Sequence, residues 1–192
     1  MKLLFYKTFL VNQTKSLPPF VVILCLCVLP LPWQQFSLLY PLFLSSLPVL
    51  LLLLQDQKDR WYELLSTFPL SPYAVLGEKY LLAGISSLLF PLSMFAGQKL
   101  SCFLPEELEP TPEKLLFTMA FLLIFHALFL FILFRWGPHR VLPSYFLGAA
   151  VCLLAPLSSW MFSHPVLFLG AALLMLLVSF LAAVRLYPSR RW

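Results

Sequence analysis

Apolar residues run along this chain in long blocks, broken by short polar stretches rich in proline and charge. The blocks are continuous, whereas a membrane barrel requires alternating segments of about 10 residues, so a barrel is excluded. A helix needs about 20 apolar residues to cross the hydrocarbon core of a bilayer. Six such spans can be drawn: Leu17–Trp33, Phe36–Leu54, Tyr73–Ala96, Leu115–Trp136, Leu142–Phe162 and Pro165–Tyr187. The first is short and bracketed by prolines, with two lysines and a polar stretch before it and no small-residue cleavage site after it, so it does not read as a signal peptide. The pattern predicts an all-α polytopic membrane protein of six transmembrane helices, forming one domain over residues 1–192.

Between the spans the polar segments have distinct characters. Residues 1–16 mix Leu3, Leu4, Phe5, Tyr6 and Phe9 with Lys2, Lys7 and Lys15, which suits either an interfacial helix on an anionic leaflet or a simple leader into the first span. Residues 97–114 form a loop carrying Glu106, Glu107, Glu109 and Glu113. Residues 55–72 read as a short helix and a turn. Trp61, Leu64, Leu65 and Phe68 fall at i, i+3, i+4 and i+7 on one face, and Asp56 and Arg60 make an acid-first i,i+4 pair. Pro69 stops this helix, and Ser71 with Pro72 opens the next span. The apolar face suits either the lipid interface or a groove on a cytoplasmic partner.

Composition agrees with the pattern. Hydrophobic residues make up 61% of the 192 residues, charged residues only 11%, and the mean hydropathy is +0.90. A soluble domain carries about 25% charged residues. With both termini cytoplasmic, eleven of the 13 Lys and Arg residues fall inside and only Lys99 and Lys114 outside, the asymmetry expected of an inner face. Most prolines mark span edges; Pro41, Pro48, Pro91 and Pro156 fall within spans and favour kinks that neighbouring helices can repair.

Chemistry-bearing motifs are few. There is no phosphate-binding Gly-x-x-x-x-Gly-Lys-Ser/Thr and no Gly-x-Ser-x-Gly. His126, His139 and His164 lack metal-ligand spacing, and Cys25, Cys27, Cys102 and Cys152 define neither a metal site nor a disulfide framework. An enzyme is therefore disfavoured, as is a cofactor or metal held by this chain. His126 sits mid-span in FLLIFHALFLF, where it either bonds a neighbouring helix or lines a cavity as a candidate cargo contact. No Asp, Glu, Lys or Arg lies at mid-depth, which argues against ion coupling; Glu78 and Lys79 stand near the inner edge, where Lys79 can snorkel to water. An apolar, aromatic pathway suits an amphipathic or lipid-like cargo.

The Lys-rich start, Asp56 after the second span, Trp61, the turn Phe68-Pro69-Leu70-Ser71 and Glu78-Lys79-Tyr80 together resemble the small six-span permeases of the ABC-2 transporter superfamily. Two positions depart from that pattern: Pro72 stands where a basic residue usually follows the turn, and Thr8 where an acid usually follows the lysine. The resemblance implies a type V exporter-like permease with an N-terminal interfacial helix, in a bacterial cytoplasmic membrane. Residues 55–72 are implied to be its coupling helix. Asp56, Arg60, Trp61, Leu64, Leu65, Phe68 and Pro69 would dock on a separate ABC ATPase, present in two copies, which binds the ATP and Mg. A second permease subunit, identical or related, would complete the path. The expected cargo is amphipathic, a peptide among the options, and no nucleic acid is involved. The alternative is the substrate-binding membrane subunit of a vitamin importer.

Overall fold

The computed structural model describes residues 39–58, 72–100, 111–154 and 164–186. All their secondary structure is helical: α1 (Leu39–Lys58), α2 (Pro72–Leu100), α3 (Pro112–Trp136), a single 3-10 turn (Pro138–Arg140), α4 (Val141–Leu154) and α5 (Pro165–Leu186). Among the described residues, three segments are long and apolar enough to cross a membrane, namely Tyr73–Ser93 within α2, Pro112–Trp136 and Pro165–Leu186. Val141–Cys152 is apolar but shorter. The expected span Leu17–Trp33 and the expected interfacial helix 1–16 lie outside the described residues.

Local chemistry sets the helix ends. Pro72 opens α2 and Pro165 opens α5, positions where the missing N–H costs nothing. At α3 the Thr111 side chain accepts from the Lys114 backbone N–H at 3.3 Å, Pro112 follows, and Glu113 lies in the first turn, next to the positive end of the helix dipole. α3 stops at Gly137, whose φ of 105° is strained for any side-chain-bearing residue and whose N–H caps Leu133 O at 2.8 Å. The 3-10 turn then reverses the chain into α4.

These ends revise the predicted segments. α1 runs on through Gln55–Lys58, so the described part of the predicted 55–72 segment is continuous with the span before it, and residues 59–71 lie outside the described residues. α2 extends to Leu100 and α3 begins at Pro112, which narrows the predicted 97–114 loop from both sides. Pro41 falls in the first turn of α1, where a proline is tolerated, while α1 and α2 continue through Pro48 and Pro91.

α3 is the central helix and packs against each of the other four. Its inner faces carry Phe121, Leu122, Phe125, Phe129, Leu130, Leu133 and Phe134, all buried. Phe125 stacks on Phe129 at 6.0 Å, and both meet Tyr145 of α4 edge-on at 5.5 and 5.6 Å. A second cluster joins α3 to α5 through Phe117, Ala120, Leu123, Phe168 and Ala172. Gly148 lets α4 approach closely, since a Cβ there would stand 3.3 Å from Phe129 Cα. α5 is peripheral. Val166, Leu167, Leu174, Leu177 and Val178 point outward, an apolar surface that water would not tolerate and lipid would.

Candidate functional site

The helices alternate in direction, so one end of the bundle collects the C-termini of α1, α3 and α5 and the N-termini of α2 and α4. Exposed Lys58, Arg135, His139, Arg140 and Arg185 make this the basic end. The described acids here are turned inward: Asp56 and Glu78 are buried.

Asp56 lies on the last turn of α1. Its carboxylate accepts from the Lys79 ammonium, which enters from α2. Glu78 Oε2 lies 3.9 Å from the same ammonium. Lys79 is 2% exposed, so the predicted snorkelling does not occur; its ammonium meets a carboxylate inside the bundle instead of the water its long stem could reach. Asp56, expected on a free docking face, is likewise committed to the bundle. Next to it, Gln57 Nε2 donates to His139 O at 3.2 Å and joins α1 to the turn between α3 and α4. The remaining expected docking residues, Arg60, Trp61, Leu64, Leu65, Phe68 and Pro69, lie outside the described residues.

One residue beyond Lys79 a second polar tie begins. Tyr80 Oη and Ser179 Oγ are 2.8 Å apart, and Ser179 donates to Ala127 O of α3 at 2.7 Å. Ser46 of α1 and Tyr145 of α4 meet at 2.8 Å. These contacts join residues 99 positions apart in both hydroxyl pairs. Only the burial of a hydroxyl in an apolar run marks them in sequence, and that signal does not name a partner.

His126 is fully buried on α3. Its Nδ1 lies 2.9 Å from Leu122 O and 2.8 Å from Ser87 Oγ of α2, and Ser87 Oγ donates to Ala83 O at 2.8 Å. Because carbonyl oxygens can only accept, Nδ1 carries the proton on His126 and the Ser87 proton goes to Ala83 O. The neutral ring then presents Nε2 as an acceptor, with no partner among the described residues. Of the two roles open to His126, the bond to a neighbouring helix is present. No group of His, Cys, Asp and Glu among the described residues is arranged to hold a metal.

Apolar helices long enough to span a bilayer, sealed polar ties between them and a basic end define a multi-pass helical membrane protein. The chain matches the ABC-2 family transporter protein model over residues 2–187, and it belongs to that family. No curated protein and no solved structure matches it. Membership makes it the membrane component of an ABC transporter and implies association with an ATPase subunit.

Proposed function

We propose that this chain is the permease subunit of an ATP-driven exporter in a bacterial cytoplasmic membrane, with six spans and both termini inside. It pairs with a second permease, identical or related, and with two ATPase subunits that carry the ATP and Mg. Its cargo is amphipathic or hydrophobic, a peptide among the options. The observation that carries this reading is the family match over residues 2–187. The aromatic interior built from Phe125, Phe129, Phe134 and Tyr145 supports the cargo class. ATP binding would close the motor dimer and shift the permease pair between two arrangements through residues 55–72. Within the bundle, His126 Nε2 offers a cargo donor a contact when α2 and α3 part.

Co-purification tests the assignment. The tagged chain expressed with its neighbouring genes brings down an ATPase. Trp61→Ala and Phe68→Asp lose that ATPase while the permease still folds. Retention of the ATPase at unchanged stoichiometry by both variants would remove residues 55–72 as the docking unit. A small ligand held through detergent extraction, with no ATPase, would point to the importer subunit instead.

A further inference from the structure

Two opposite charges are sealed where the chain leaves the bundle after α1 and returns to it at α2. Asp56 is two residues from the end of α1, and Lys79 is about 10 Å along α2 from Pro72. Their side chains are only 1% and 2% exposed, although Lys79 has the reach to find water. Such a pair is a poor way to stabilise a bundle, because two well-packed apolar side chains often do as well or better. What it does impose is register. Apolar side chains tolerate sliding and repacking, whereas an ammonium and a carboxylate taken out of water must stay together.

We infer that Lys79 is a positioning residue that locks the end of α1 and the start of α2 into one body, so that a push on residues 59–71 enters the whole bundle instead of parting these two helices. The inference rests on the proposed docking role of that segment and names how its movement is passed on. Neighbouring residues extend the locked layer. Gln57, beside Asp56, ties α1 to the α3–α4 turn through His139 O; Tyr80, beside Lys79, ties α2 through Ser179 to Ala127 O of α3. The layer therefore reaches α1, α2, α3, α5 and the turn that leads into α4.

The test uses spin labels at Leu51→Cys on α1 and Leu81→Cys on α2, both exposed positions, with the four native cysteines replaced. A second label pair, Leu92→Cys on α2 and Leu173→Cys on α5, reports whether the bundle moves at all. Distances are measured by pulsed electron resonance on the complete complex in nanodiscs, without nucleotide and with ATP and vanadate. In the parent protein the Leu51–Leu81 distance should stay within about 2 Å between states while the second pair shifts. The double variant Asp56→Leu/Lys79→Met, which also takes the ammonium away from Glu78, should broaden the Leu51–Leu81 distribution, and the swap Asp56→Lys/Lys79→Asp should narrow it again. A double variant as narrow as the parent would reduce the pair to packing and overturn the inference, as would a parent whose α1 and α2 separate with ATP. If no ATPase co-purifies or nucleotide moves neither pair, the docking assignment falls. The nucleotide-free widths of parent and double variant still decide whether Lys79 locks the two helices.

Discussion

Ser179 of α5 relays a hydrogen bond from Tyr80 of α2 to the main chain of α3. The direction is fixed, because Ala127 O can only accept; Ser179 gives it its one proton, and Tyr80 must then donate to Ser179 Oγ. The relay makes the two partners unequal. Tyr80→Phe removes one donor and leaves Ser179 bonded to Ala127 O, so the loss should be about 0.5–1 kcal/mol. Ser179→Ala leaves the Tyr80 hydroxyl buried without an acceptor and should cost about 1–2 kcal/mol. The double variant should cost less than the sum, since Phe removes the group that Ala orphans. Unfolding of the three variants in matched detergent measures all of this; equal losses for the two single variants would refute the direction.

Gly148 of α4 and Gly170 of α5 make a paired comparison. A Cβ at Gly148 meets the Phe129 backbone at 3.3 Å, and backbone cannot swing aside as a side-chain tip can. Gly148→Ala should therefore force α3 and α4 apart and cost about 1–3 kcal/mol. At Gly170 nothing lies within 4 Å of the added carbon, and the same substitution should be neutral or stabilising by up to about 1 kcal/mol through helix propensity. Thermal unfolding of the two variants gives opposite signs if the α3–α4 approach is as close as described.

The helices were legible because hydrophobicity and proline act locally. The start of α2 at Pro72, the start of α5 at Pro165 and the end of α3 at Trp136 all follow from short-range rules that need no knowledge of the fold. The start of α3 was read three residues late, because Glu113 and Lys114 look like loop until the Thr111 cap and the dipole are considered together. Which helices meet was not legible. A helix that is apolar on every side carries no stripe to mark its inner face, so nothing in the order of residues says that α3 is central and α5 peripheral. Lys79 was misread for a related reason. Its nearness to a span edge suggested water, and its true partner, Asp56, stands 23 residues away on another helix. Of the candidate docking residues, Asp56 alone lies among those described, and it is turned into the bundle.

The two ends of α3 give a direct test of orientation. Glu113 lies in its first turn and Arg140 just past its last, both exposed, and a 25-residue helix separates them by about 37 Å, enough to put them on opposite faces of a bilayer. The proposed topology, drawn from the excess of Lys and Arg at the Arg140 end, puts that end inside. A membrane-impermeant maleimide added to intact cells should label Glu113→Cys, and should label Arg140→Cys only after permeabilisation. The reverse pattern would turn the whole chain over and remove residues 55–72 from any cytoplasmic partner.

His126 separates a packing role from a transport role. Replacing it by leucine removes an unpartnered acceptor and creates none, since Ser87 keeps its bond to Ala83 O. His126→Leu should therefore unfold within about 1 kcal/mol of the parent, or above it. His126→Ala instead opens a hole between α2 and α3 and should cost about 2–4 kcal/mol. If leucine costs as much as alanine, Nε2 has an occupant such as a bound water that the larger apolar side chain displaces. If leucine leaves stability and ATPase association intact while export of the native cargo fails, the acceptor is used in transport, because packing and docking have both been preserved and only the unpartnered lone pair of the ring has gone.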